Sequence, residues 1–193
     1  MVRQVSETGQ ALRRPAADAA KRPAGSLSPL TALGVVGLAL GASALLGRRN
    51  APDRSHPAIR GWYRRLDKPG FTPPDAVFGA VWPVLETGLA VGGYRLLRQP
   101  SGGARDAAVG LWLLNSAMVG GWTELFFRRN DLRASAAMSG AMILSGAAYV
   151  AAAVKVDRPA AATALPFVAW LGFATLLAEQ IRERNPVEGE SGR

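Results

Sequence analysis

The 193-residue chain contains no cysteine and a single histidine, His56. The first absence removes disulfides, thiol nucleophiles and thiolate metal sites, and leaves the redox compartment open. The second removes a histidine-rich metal centre, so His56 reads as a loop residue. Acidic residues are also scarce, 14 against 23 Lys and Arg, for a formal charge of +9. Nucleic acid is not the partner this surplus indicates. The basic residues lie mainly between and outside apolar runs, and anionic lipid headgroups are the simpler partner. No hydrolytic triad, phosphate-binding glycine loop or metal-ligand cluster is legible, which argues against conventional catalysis and against a required cofactor.

Charge of either sign is missing altogether from residues 27–47, 134–154 and 159–178. Residues 76–94 and 107–127 carry one carboxylate each, Glu86 and Glu124. Each run approaches the ~20 residues that an α-helix needs to cross a bilayer core. The expected fold is therefore an all-α membrane protein, a bundle of five transmembrane helices over about 29–47, 76–97, 107–127, 134–154 and 159–181. A long structured loop joins the first two, a disordered basic tail precedes them over 1–28, and a polar tail follows over 186–193. Arg13-Arg14 is followed by Pro15, Ala16 and Ala17 rather than by an apolar stretch. Although Ala42-Ser43-Ala44 imitates a cleavage site, the first run is expected to stay as a helix. Thirteen basic residues fall on the side holding the first connector, the third connector and the C-terminus, against ten on the other. The bias places the C-terminus and the first connector in the cytoplasm.

The first connector and the run after it form the densest pattern in the chain, WYRRLDKPGFTPPDAVFGAVWPVLE from Trp62 to Glu86. Pro69, Pro73 and Pro74 deny the loop a regular helix and mark a stop just before a span that begins at about Asp75. Trp62, Tyr63 and Phe71 are thereby held at a span mouth, as a lid over something apolar. Further on, Trp122 shares a helix face with Asn115. Phe167, Trp170, Phe173 and Ala174 align on one face of the last run, in which Pro166 should kink the helix or free a carbonyl. Gly37 with Gly41, and Gly88 with Gly92, bring small faces that suit close packing within the chain. Trp112 is read as packing, and Glu124 as an ion pair with Arg128 one turn on. Glu86, an ionisable group within a span, should face the interior, either toward a ligand or toward Asn115 or Ser116.

Trp62-Tyr63, Leu66, Lys68-Pro69, Phe71, Pro73-Pro74, Phe78-Gly79, Val81-Trp82 and Leu85 together resemble the TspO/MBR family. Trp122 with Phe126-Phe127, Leu165-Pro166, Trp170, Phe173-Ala174-Thr175, Leu177 and Asn185 extend the similarity over roughly 30–185. The resemblance implies a five-helix bundle, a homodimer in a bacterial inner membrane, and a cavity beneath the first connector that binds porphyrin, haem or another apolar small molecule. Carried onto this chain, the ligand-binding set is Trp62, Tyr63, Lys68, Phe78, Trp82, Glu86, Trp122, Trp170, Phe173 and Ala174. Flat π faces and a small alanine suit a planar macrocycle, and Lys68, Arg64 and Arg65 would meet its propionates. The chain departs from the family at Glu86, Val119, Leu176 and Ala178, where polar partners are replaced. Sensing or translocation of a tetrapyrrole is the implied function. The alternatives are light-dependent porphyrin breakdown with the cavity tryptophans as electron donors, and a scaffold that has lost the ligand.

Overall fold

The structure, a computed structural model, describes residues 23–186. Most of the two expected tails, residues 1–22 and 187–193, lies outside the described residues. Every regular element described is helical: α1 Pro29–Arg49, α2 Pro57–Arg65, α3 Asp75–Leu97, α4 Gly103–Thr123, a π-helical turn Glu124–Arg128, α5 Leu132–Val154 and α6 Arg158–Arg184. Their boundaries follow from local chemistry. Ser28 accepts from Thr31 N at 3.1 Å to cap α1, and Pro29 supplies the preset φ of a first turn. Asp131 and Asp157 cap α5 and α6 by accepting from Ala134 N and Ala160 N, each at 2.8 Å. α3 begins directly after Pro73 and Pro74. α3 and α6 run unbroken through Pro83 and Pro166.

Six helices are described where five membrane-spanning ones were expected; the additional one, α2, has nine residues and is too short to span. The first connector folds half of itself into α2, because Pro57 can start a helix and the next proline, Pro69, comes only after three turns' worth of chain. Trp62 and Tyr63 therefore stand on a helix and not in an irregular loop. Four of the five long helices are long and apolar enough to cross a membrane: α1, α3, α5 and α6. α4 has the length, but its first turn carries Arg105 and Asp106 and its middle Asn115, which lower its apolar content.

The long helices close a ring in the order α1, α3, α6, α5, α4, with α4 returning to α1 and also touching α3. Many large apolar side chains point outward, among them Leu30 at 81% and Leu144 at 74% exposure, while the buried core mixes Trp112, Tyr149, Phe167 and Leu89 with the small Ala32, Ala108, Ala160 and Ala164. That inversion is how helices pack in lipid, where close backbone approach replaces the hydrophobic drive available in water. Gly88 and Gly92 make such a contact. A Cβ on Gly88 would stand 2.6 Å from Thr163 O, and one on Gly92 would stand 2.6 Å from the Tyr149 hydroxyl. Gly37 and Gly41 have nothing within 4 Å among the described residues, so of the two pairs the one on α3 is packed there. Trp112 is fully buried against Gly93, and its Nε1 donates to Leu89 O at 2.9 Å, a packing role.

The end of the bundle away from α2 is fastened by polar contacts. Arg95 forms a two-pronged bond to Asp157, Nε to Oδ1 and Nη2 to Oδ2, both 3.0 Å, and Gln99 Nε2 donates to Oδ2 at 3.0 Å. Residues 23–28, the last of the expected tail, lie against the same end. Leu27 N donates to Leu97 O at 2.9 Å, and Arg98 Nη1 to Leu27 O at 2.6 Å. The opposite end carries α2 and the candidate site.

Candidate functional site

α2 is strongly two-faced, with Ile59, Trp62, Tyr63 and Leu66 turned inward and Arg60 and Arg64 outward. Its inner face rests on the π-helical turn. That turn adds a residue to the end of α4 and so re-aims the side chains that follow it. One consequence corrects the sequence reading. Glu124 pairs with Arg129 at 3.7 Å, not with Arg128, because the turn shifts the neighbour on its face from i+4 to i+5.

The other consequence is an aromatic cluster centred on Phe126, which is 2% exposed. Phe126 stacks on Trp122 with centroids 4.7 Å apart and planes 13° apart. It meets Trp62 edge-on at 5.6 Å, Tyr63 at 6.4 Å and Phe127 at 4.9 Å. Trp122 is also anchored by Nε1 donating to Ser135 O at 3.0 Å. A second string of rings runs along α6: Trp170 lies 5.2 Å from Phe173 and 5.9 Å from Phe78, and Phe71 of the connector reaches Phe173 at 6.3 Å. Such edge-to-face and offset pairs each add about 0.5–1.5 kcal/mol beyond burial.

The structure thus brings Trp62, Tyr63, Trp122, Phe78, Phe173 and Trp170 to one end of the bundle. They meet as packed rings, whereas the expectation was of walls around an open space. Trp82 packs half-buried on the main core, against which Trp122 and Trp170 also pack, and Ala174 is half-buried on α6. Lys68 Nζ sits 3.9 Å from the centre of the Tyr63 ring, a cation–π contact. Burial pushes the Tyr63 hydroxyl up to about 12, with the Asp75 carboxylate adding to the effect. Burial pushes the Lys68 ammonium down, Asp75 opposes that, and nearby Arg64 reinforces it. Glu86 is half-buried and has no hydrogen bond or ion pair among the described residues. The partners expected for it are engaged elsewhere: Asn115 accepts from Ser145 Oγ at 3.0 Å and donates to Leu111 O, and Ser116 donates to Trp112 O.

Two features escaped the sequence reading. Phe126 is the hub of the cluster, although its spacing of four from Trp122 was a usable signal. A groove of about 600 Å³ opens beside the rings, and its lining includes Trp62, Arg65, Leu66, Asn130, Leu132 and Asn185. It is largely polar and shares only Trp62 with the expected ligand set. His56 accepts its place in a turn, with Nδ1 3.2 Å from Asp53 Oδ1 and 3.0 Å from Ser55 Oγ. No group of three potential metal ligands occurs among the described residues.

An all-helical chain with several bilayer-length apolar helices and aromatic residues gathered at one end is an integral membrane protein. The profile of the TspO/MBR family matches residues 32–184, and the chain belongs to that family. It is 30% identical to the translocator protein of Bos taurus over 136 residues, covering 68% of this chain and 79% of the relative. Against the translocator protein of Homo sapiens it is 32% identical over 120 residues, covering 60% and 70%. A tryptophan-rich sensory protein of Cereibacter sphaeroides is 28% identical over 137 residues, covering 71% and 80%.

Proposed function

We propose that the protein binds a tetrapyrrole, porphyrin or haem, and acts as its sensor or translocator in a bacterial inner membrane. All five long helices then span the bilayer, α4 included: its 21 residues reach about 31 Å at 1.5 Å each, and its Asn115 and Ser116 are satisfied inside the bundle. The end bearing α2 and the C-terminus faces the cytoplasm, and two copies associate as a homodimer. The ligand set is Trp62, Tyr63, Lys68, Phe78, Trp82, Glu86, Trp122, Trp170, Phe173 and Ala174.

The observation that carries the reading is Trp170. Its indole N–H is buried with no acceptor, beside the faces of Phe78 and Phe173. A buried donor without a partner costs about 1–3 kcal/mol, and a flat apolar ligand bearing an acceptor removes that cost. Rings already packed on one another must part to admit a macrocycle, and the cation on Tyr63 stands at the rim for a propionate. The test is titration of the detergent-purified protein with protoporphyrin IX, read by tryptophan quenching. Saturable quenching that weakens severalfold in Trp170→Phe supports the reading. Quenching that never saturates in the unaltered protein overturns it.

A further inference from the structure

The outer face of α2 and the turn before it carry three arginines that no carboxylate among the described residues neutralises. Arg54 from the preceding turn, with Arg60 and Arg64 one helical turn apart, converges on an open groove of about 210 Å³ completed by Pro57 and Gly61. None of the three has a hydrogen bond or ion pair among the described residues. Both carboxylates of the connector are engaged elsewhere: Asp53 Oδ1 accepts from Ser55 N at 2.8 Å and holds the Ser55 hydroxyl and His56, and Asp67 lies 3.9 Å from Arg184.

Clustered like charges repel, and a fold that keeps three guanidinium groups together unpaired is stabilised by an anion from outside. α2 caps one end of a bundle of membrane-spanning helices, with its aromatic face inward, so its basic face lies at headgroup depth. We propose that Arg54, Arg60 and Arg64 form a binding site for the phosphomonoester headgroup of an anionic phospholipid. A phosphomonoester carries about −1.5 to −2 charges at neutral pH and three strong acceptor oxygens, whereas a phosphodiester carries about −1. Three guanidinium forks match the monoester's three oxygens in number, and its second negative charge offsets more of their +3 than a phosphodiester can. A Cβ on Gly61 would stand 3.6 Å from Arg65 Nη1, so a further guanidinium lies close to that glycine. The site is separate from the aromatic cluster, which lies behind the same helix.

The experiment uses delipidated full-length protein and vesicles of phosphatidylcholine doped with either phosphatidic acid or phosphatidylglycerol at matched surface charge. Retained lipid is counted by native mass spectrometry. The expected result is a preference for phosphatidic acid of about tenfold, the worth of one additional charge-assisted contact. The Arg54→Gln/Arg60→Gln/Arg64→Gln variant should lose that preference while keeping its thermal unfolding temperature. Arg48→Gln/Arg49→Gln, which removes charge from the end of α1 outside the groove, should keep it. Equal retention of the two lipids, or equal loss in both variants, overturns the proposal in favour of diffuse attraction. Displacement of phosphatidic acid by an equal concentration of inorganic phosphate overturns the lipid as the source of the anion.

Discussion

Asn185 at the end of α6 and Asp67 just past α2 exchange hydrogen bonds: Asp67 N donates to Asn185 Oδ1 and Asn185 Nδ2 donates to Asp67 O, both at 2.9 Å. The same Nδ2 donates to Ile181 O at 2.8 Å. One side chain therefore ties the connector to the last turn of the bundle. Asn185→Ala removes all three bonds at a partly exposed position where water substitutes, so the expected cost is about 1 kcal/mol. Amide exchange over residues 62–72 should accelerate while the global unfolding temperature barely moves. Unchanged exchange in that segment would show that the aromatic contacts alone hold the connector.

Phe126 is the ring on which both sides of the cluster close. Phe126→Ala removes a fully buried aromatic and its stacking on Trp122, an expected loss of about 3–5 kcal/mol. Trp62 and Trp122 should then become more accessible, with a red-shifted emission. The exposed Leu144→Ala is the comparison. A loss no larger than that of Leu144→Ala would mean the cluster does not close on Phe126.

Much of this architecture was legible, and the failures have physical causes. Charge-free runs and the double proline before Asp75 mark the long helices, because bilayer length and proline sterics act locally on the chain. α2 was missed because the prolines at its C-terminal side drew attention from Pro57, which starts a helix as readily as later ones end it. The i+5 pairing of Glu124 was invisible because nothing in ELFFR announces a π-helical turn; tertiary packing of Phe126 and Phe127 goes with it. Of the aromatic residues named from family pattern, Trp62, Tyr63, Phe78, Trp122 and Phe173 gather at one end, while Trp82 and Trp170 pack on the main core, Trp170 reaching Phe78 and Phe173. Spacing along a helix fixes a face but not which neighbour that face meets.

The two glycine pairs make opposite predictions. Gly88→Ala drives a methyl into the Thr163 carbonyl, which is backbone and cannot swing aside, so α3 and α6 must separate. An overpacking loss of about 1–3 kcal/mol is expected. Gly37→Ala meets open space on α1 and should be neutral or stabilising by up to about 1 kcal/mol through helix propensity. Thermal unfolding in one detergent compares them. If Gly37→Ala is the more damaging, the α1 pair is packed against something outside this chain.

Asp157 should make the bundle acid-sensitive at the end away from α2. Burial pushes its carboxyl up, but hydrogen bonds from Arg95, the Ala160 amide and Gln99, with the charge of Arg95, outweigh it and leave it below the ordinary carboxylate value. A depressed folded value means stability that is fully present above the unfolded pKa of about 4 and lost as pH falls through the folded value. Asp157→Asn keeps the shape and an oxygen for the helix cap but removes the charge. Because Arg95 is 41% exposed, the expected penalty at neutral pH is about 2 kcal/mol, below that of a fully buried pair. The unaltered protein and the variant should start to converge in unfolding temperature as pH drops below about 4, and meet once pH has fallen through the lower folded value and Asp157 itself is neutral. A gap that stays constant from neutral to acid pH would assign the loss to altered packing and remove the ion pair as its cause.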